Sequence, residues 1–248
     1  KEFEKRIGRV RLFNSLGGLI SALAGGAIAA LASPRLTYFI TIPIVGISVL
    51  ALLKFREPQL HKMEVATSLK QHIATTYKTL LRKGQLLPIV ALLVLTSMLL
   101  QVLLEFGQLW LVVLSAPTVF YGIAFAALLS AIGFGGLLAG RIKFHEPLSL
   151  VVVVAVMMLS SLAMIFSRDA AIVTVAQVVL AILIVVISIL FTRLLHDAIS
   201  SNVRSGVASG VSAFSWMIFV PFSLLFGWVS NEFSVFSGGW LIVALAAI

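Results

Sequence analysis

Eight long apolar runs limit what this chain can fold into more than any other feature of its sequence. A helix needs about 20 mostly apolar residues to cross about 30 Å of hydrocarbon, and all the runs but the last reach roughly that length. The runs are residues 10–32, 36–55, 86–114, 118–140, 148–167, 170–192, 205–229 and 235–248. The sequence therefore predicts an all-α integral membrane protein, a polytopic bundle of about eight transmembrane helices.

The composition supports a membrane protein and excludes several chemistries. Of 248 residues, 60% are hydrophobic and 11% charged, and the mean hydropathy of +1.14 is far above that of a soluble chain. The chain has no cysteine, and its four histidines lack the spacing of a metalloprotease. Neither a phosphate-binding loop of the Gly-x-x-x-x-Gly-Lys type nor a Gly-x-Ser-x-Gly nucleophile motif is present. We therefore expect no enzyme activity, no metal site and no cofactor.

The basic residues indicate orientation. The formal charge is +9, from 18 Lys and Arg against 9 Asp and Glu. When the loops are assigned to alternate sides of the eight spans, 16 basic residues fall on one side, and Arg35 and Arg168 on the other. Positive residues concentrate on the cytoplasmic side of membrane proteins, so the N-terminus is predicted to be cytoplasmic. The excess charge thus points to the lipid bilayer and not to a nucleic-acid partner.

The single long connection between runs, residues 56–85, has an amphipathic pattern. Apolar residues recur there every four positions, at Val65, Leu69, Ile73, Tyr77 and Leu81. Three lysines fall off that line. The spacing predicts an amphipathic helix on the inner leaflet, with its basic residues toward anionic head groups. A plain flexible linker is the alternative.

Two runs carry small residues at four-residue intervals along a whole face. They are Gly18, Ala22, Gly26 and Ala30 in the first run, and Ala127, Ala131, Gly135 and Ala139 in the fourth. Such faces let helix backbones approach closely, which favours helix association in lipid. We therefore predict helix-packing surfaces at both faces, and the pattern fits static packing and a sliding contact equally.

One carboxylate, Glu105, lies well inside a span. It shares a helix face with Ser97, Gln101 and Gln108, because with Glu105 included each residue of the set lies three or four positions from the next. An ionised carboxylate facing lipid would cost at least about 2.5 kcal/mol, so we expect this face to turn to the interior. Proton coupling or substrate contact is the role that we favour. A hydrogen bond to a neighbouring helix, or a position without a role near the outer mouth, are the alternatives.

Three further side chains are candidates for the same interior. Gln177 either lines the cavity or makes a hydrogen bond between helices. Trp216 and Phe219 are either aromatic residues that face a substrate or bulk that faces lipid, and we favour lipid-facing bulk.

Two motifs carry a family resemblance. "GGLLAGR", from Gly135 to Arg141, resembles the cytoplasmic signature of major facilitator superfamily transporters, in the weaker form found between helices eight and nine. "DAISSNVRSGVASG", from Asp197 to Gly210, is similar to the start of helix eleven in that family. The resemblance numbers the eight spans five to twelve. It places the long connection at the family's central cytoplasmic linker.

The resemblance implies a domain organisation. Residues 1–55 would be the last two helices of the N-terminal half, residues 56–85 the linker, and residues 86–248 the six-helix C-terminal half with a truncated last helix. Helices one to four would then lie outside this fragment. By analogy with the family, Gly136 and Arg141 would help to close the cytoplasmic gate.

The resemblance also implies a function. The protein would be a secondary active transporter that moves a small solute by alternating access, with proton-coupled efflux as one form of this activity. The expected partners are protons and an amphipathic or hydrophobic solute, and the expected location is a bacterial plasma membrane. The alternative is a polytopic membrane subunit of another class, a permease or scaffold without transport activity of its own.

Overall fold

The computed structural model describes residues 2–55, 86–139, 147–199 and 204–247, and these residues form eight helices without a strand. The helices are α1 (Glu2–Leu31), α2 (Pro34–Leu53), α3 (Leu87–Val113), α4 (Thr118–Ala139), α5 (Pro147–Phe166), α6 (Ala170–Ala198), α7 (Arg204–Glu232) and α8 (Val235–Ala246). Each helix overlaps one predicted run, and α1 begins eight residues before its run. The predicted amphipathic segment at 56–85 and the predicted gate residue Arg141 lie outside the described residues.

Helices α2 to α7 are long and apolar enough to cross a membrane. The apolar part of α1, Leu16–Leu31, and helix α8 are shorter. These findings confirm the prediction of an all-α polytopic membrane protein. Helix α6 continues to Ala198, six residues past the predicted span. In this added part Arg193 and Asp197, four residues apart, pair at 3.8 Å.

Side chains satisfy the backbone groups that helix ends leave unpaired. The Asp169 carboxylate accepts hydrogen bonds from the backbone N–H groups of Ala171 and Ile172, at 2.8 and 3.0 Å, and so caps α6. At the end of α5, the indole Nε1 of Trp110 donates to the carbonyl of Met164 at 2.9 Å. The Arg168 guanidinium donates to the carbonyl of Ile165 at 2.8 Å, so the last turn of α5 is held by side chains from outside it.

Helix α6 lies at the centre of the bundle and packs against α3, α4 and α5. Its buried face includes Val173, Leu180 and Ile184, which are fully enclosed. Helix α8 packs against α5, α7 and α3 and completes the core. The six helices from α3 to α8 therefore share one apolar core.

Helices α1 and α2 join this core differently. Helix α1 packs along α4, and α2 contacts α1. No residue of α2 is buried within the described chain. Helix α4 therefore lies between α1 on one side and α6 on the other.

Candidate functional site

A cavity of about 360 Å³ lies between α3, α6 and α7, and we call it the polar cavity. Its polar and aromatic lining consists of Thr96, Ser97, Gln101, Ser188, Thr192, His196, Ser212, Ser215, Trp216 and Phe219. Hydroxyl groups enter it from all three helices, although these helices are predominantly apolar. The cavity extends to the C-terminal end of α6, where Leu195 and Ile199 line it.

Several of these hydroxyl groups already donate to the backbone of their own helix. The Thr96 hydroxyl donates to the carbonyls of Leu92 and Leu93, at 2.9 and 3.0 Å, and the Ser215 hydroxyl donates to the carbonyl of Val211 at 2.9 Å. A hydroxyl that donates in this way keeps its oxygen lone pairs as acceptors. The walls therefore offer acceptors, and among the described lining residues His196 is the one ionisable side chain.

An aromatic pair forms one wall of the polar cavity. Trp216 and Phe219 meet edge to face, with ring centroids 5.6 Å apart and ring planes at 90°. Trp216 is 52% exposed, whereas Phe219 is only 7% exposed. The preference for lipid-facing bulk is therefore wrong for Phe219, because the helix turns this ring inward against Phe106 of α3, at 6.3 Å.

The predicted polar face of α3 is divided between two cavities. Ser97 and Gln101 line the polar cavity, whereas Gln108 lines a second cavity of about 630 Å³ between α1, α2, α3 and α4. Glu105 lines neither of them and is exposed. The expected orientation toward the interior is therefore not found for Glu105, and the role of this face in proton coupling or substrate contact stays a prediction.

Glu105 is nevertheless linked to the polar cavity through Gln101. The Gln101 Nε2 atom donates a hydrogen bond to Glu105 Oε1 at 2.9 Å. Gln101 therefore both binds the Glu105 carboxylate through its amide and forms part of the wall of the polar cavity.

Gln177 of α6 makes a hydrogen bond between helices. It is buried, and its Nε2 atom donates to the backbone carbonyl of Gly107 in α3 at 2.9 Å. It is absent from the lining of the polar cavity and borders a narrow space that Gln108 also borders. The structure thus shows the hydrogen bond that was one of the two alternatives for this residue.

The two small-residue faces predicted from the sequence, on α1 and α4, contact different helices. A Cβ atom added to Gly26 of α1 would lie 2.6 Å from the Cα atom of Gly122 in α4, and one added to Gly18 would lie 3.3 Å from Leu129. Ala22 lines the second cavity beside Gly26. The approach of α1 therefore uses the row of α4 that contains Gly122, a residue that we did not select from the sequence. This row could have been recognised in the sequence, because small residues recur in it every four positions, at Thr118, Gly122, Ala126 and Ser130.

The predicted face of α4 turns toward α6 instead. A Cβ atom added to Gly135 would lie 2.8 Å from the carbonyl oxygen of Ile182, and Ala131 is buried. Gly136, the next residue, faces open space. Within the residues that the structure describes, no cluster of His, Asp and Glu could hold a metal ion.

Comparison with known proteins agrees with this architecture. A family model described as Major Facilitator Superfamily matches residues 1–223 of the 248. No curated protein matches the chain significantly.

Proposed function

The chain belongs to the major facilitator superfamily and is a membrane transporter of that family, and we propose that its polar cavity is part of the site that carries a small solute across the membrane. The observation that carries this proposal is the cavity itself. It brings hydroxyl and amide groups of α3, α6 and α7 together inside a bundle whose core is predominantly apolar. Polar groups placed inside a membrane protein commonly mark the path of a substrate.

The family membership sets aside the alternative of a subunit from another class of membrane protein. The packing supports the division of the chain that the sequence predicts. Helices α3 to α8 share one core and would form the C-terminal half, whereas α1 meets that core along α4, α2 contacts α1, and both would belong to the N-terminal half. Alternating access then consists of rocking one half against the other around the substrate.

The distribution of charge supports an orientation. When the loops are assigned to alternate sides of the eight spans, sixteen of the 18 basic residues fall on the side of the N-terminus, and the end of the span in α6 is assigned to that same side. The positive-inside rule makes this side cytoplasmic. The polar cavity extends toward it, so the described arrangement would present the cavity to the cytoplasm. A bacterial plasma membrane is the setting that we propose.

Proton coupling by Glu105 is supported by its link to Gln101. When Glu105 is ionised, Oε1 accepts the hydrogen bond from the Gln101 amide. Protonation would weaken that acceptor and leave the Gln101 amide available to a solute in the cavity. In efflux, a proton would enter through Glu105 from outside and a solute would leave in exchange.

The experiment uses the full-length protein in proteoliposomes with an imposed pH gradient. Uptake of uncharged, cationic and anionic amphipathic dyes is measured for the wild type, Glu105→Gln and the control Glu232→Gln, which alters an exposed carboxylate at the end of α7. We expect Glu105→Gln to lose the dependence on the gradient but to keep exchange of dye for dye. Gradient-driven uptake that is unchanged in Glu105→Gln would remove this residue from the coupling role. The absence of protein-dependent movement of every dye would count against the carrier function itself.

A further inference from the structure

We propose that Trp216 is the surface on which the transported solute stacks, and that this solute is an uncharged planar aromatic molecule with hydrogen-bond donors. The inference rests on the proposed function of the polar cavity. It names the chemical class that this cavity fits, and it assigns a recognition role to one residue.

The Trp216 ring is partly uncovered at the wall of the polar cavity. About half of its surface stays uncovered, as it does for Trp228 and Trp240, but Trp216 differs from these two because it lines the polar cavity. Phe219 holds it edge to face at 5.6 Å, and Phe219 in turn lies 6.3 Å from Phe106. A ring that is held on one side and open on the other loses little freedom when a second ring stacks on it.

Trp216 is the last member of a row of aromatic rings that begins in the core. Phe106 stacks on Phe226 with ring centroids 4.7 Å apart, and Phe226 lies 6.1 Å from Trp110, which is fully buried. The row runs from the rigid core to the cavity and ends at Trp216. The recognition surface is therefore supported by packed rings of α3 and α7 and not by a mobile side chain.

The lining of the polar cavity carries little charge. Among the described residues that line the cavity, His196 is the one that can ionise, and Glu105 lies outside the lining with Gln101 bound to it. An ionic solute would lose its hydration without gaining a carboxylate or guanidinium partner from these residues, which is costly. The Thr96 and Ser215 oxygens, whose protons already point to the backbone, can accept hydrogen bonds from hydroxyl or N–H groups of the solute. An uncharged ring with such donors can stack on Trp216 and donate hydrogen bonds to the Thr96 and Ser215 oxygens.

The volume is consistent with this class. At about 360 Å³, the cavity lies within the range of pockets that hold small organic molecules. Its lining mixes an aromatic wall with hydroxyl groups, which is the usual make-up of such pockets.

Binding of one ring system in three charge states tests the proposal. The probes are anthracenemethanol, anthracenecarboxylate and anthracenylmethyl-trimethylammonium, and the full-length protein is placed in nanodiscs. The anisotropy of probe fluorescence reports binding, with protein-free nanodiscs subtracted to remove partition into lipid. The variants are Trp216→Leu, Trp216→Phe and the control Trp228→Leu. Trp228 is a matched control because it lies on the same helix, is 59% exposed and meets Phe233 edge to face at 6.3 Å, but does not line the cavity.

We expect the uncharged probe to bind the wild type most tightly. Trp216→Leu should weaken that binding about tenfold, Trp216→Phe should weaken it less, and Trp228→Leu should leave it unchanged. Preference for either charged probe, or an equal effect of the two leucine variants, would overturn the proposal. If Trp216→Leu fails to fold, judged by gel filtration, the ranking of the three probes and the Trp216→Phe variant still decide it.

The same proteins are compared in the gradient-driven uptake assay, which separates the two proposals. If Trp216→Leu takes up the dyes as fast as the wild type, the role of Trp216 is refuted and the carrier function still stands. Binding of anthracenemethanol that depends on Trp216, together with no protein-dependent uptake of any dye, would refute the carrier function instead.

Discussion

Gly26 of α1 and Gly122 of α4 lie so close together that a Cβ atom on either residue would collide with the backbone of the other helix. The distances are 2.6 Å from an added Gly26 Cβ to the Gly122 Cα, and 2.8 Å from an added Gly122 Cβ to the carbonyl oxygen of Ala22. Backbone atoms cannot rotate away as side chains do. This crossing therefore sets the distance between α1 and α4 and joins the first two helices to the rest of the bundle.

Gly26→Ala should separate α1 from α4 and destabilise the full-length protein by about 1–3 kcal/mol, as overpacking does in other tightly packed interiors. Gly25→Ala is the matched control, because the same methyl group added one residue earlier meets nothing within 4 Å. The measurement is the thermal unfolding midpoint in detergent. Equal midpoints for the two variants would show that the crossing tolerates a methyl group and is looser than the structure indicates.

Alanine variants of the neighbouring residues Gly135 and Gly136 distinguish a packing role from a gating role. Gly135→Ala should lower the unfolding midpoint, because its new Cβ atom would lie 2.8 Å from the carbonyl oxygen of Ile182 and 3.0 Å from Val185 Cβ. Gly136→Ala should leave the midpoint unchanged, since that position faces open space. If Gly136 acts in the gate, its alanine variant should still slow solute exchange in proteoliposomes. A normal exchange rate at a normal midpoint would remove Gly136 from the gate.

The helices could be predicted from the sequence because the cost of placing polar groups in hydrocarbon acts on each segment separately. The runs at 36–55 and 118–140 needed no knowledge of neighbours to be recognised as spans. The partner of each face could not be predicted in this way. Gly135 contacts α6 and not α1, because α4 uses opposite faces for its two neighbours, and small residues alone do not say which neighbour a face meets.

The residues of the candidate site could be predicted only in part. The spacing of Ser97 and Gln101 placed them on one face of α3, and both line the polar cavity. The contributions of Ser212 and Ser215 were missed, since serines are common on transmembrane helices and only the assembly of three helices brings them together. The exposure of Glu105 could not be foreseen, because it depends on which helices of the bundle cover its face.

The hydrogen bond from Trp110 to Met164 should stabilise the end of α5. Trp110→Phe keeps an aromatic ring near Phe226 but leaves the Met164 carbonyl, one of the last in its helix, without that donor. Loss of a buried hydrogen bond in this way costs about 1–3 kcal/mol, so the unfolding midpoint should fall. Trp240→Phe is the control, because Trp240 is half exposed and meets Phe166 edge to face. A larger fall for Trp240→Phe than for Trp110→Phe would contradict the importance of this bond.

Gln177→Leu tests whether Gln177 holds α3 or serves the solute. Because its amide donates to the Gly107 carbonyl at 2.9 Å, the leucine variant should lose about 1 kcal/mol of stability, the usual size of a hydrogen bond between transmembrane helices. The polar cavity is lined by other residues, so binding of solute should change little.

Gln101→Leu should give the opposite result, weaker binding with an unchanged midpoint, because Gln101 lines the cavity and its hydrogen bond to Glu105 is exposed. Unfolding midpoints and probe binding are measured on both variants. Weaker binding by Gln177→Leu at an unchanged midpoint would show that Gln177 contacts the solute instead of positioning α3.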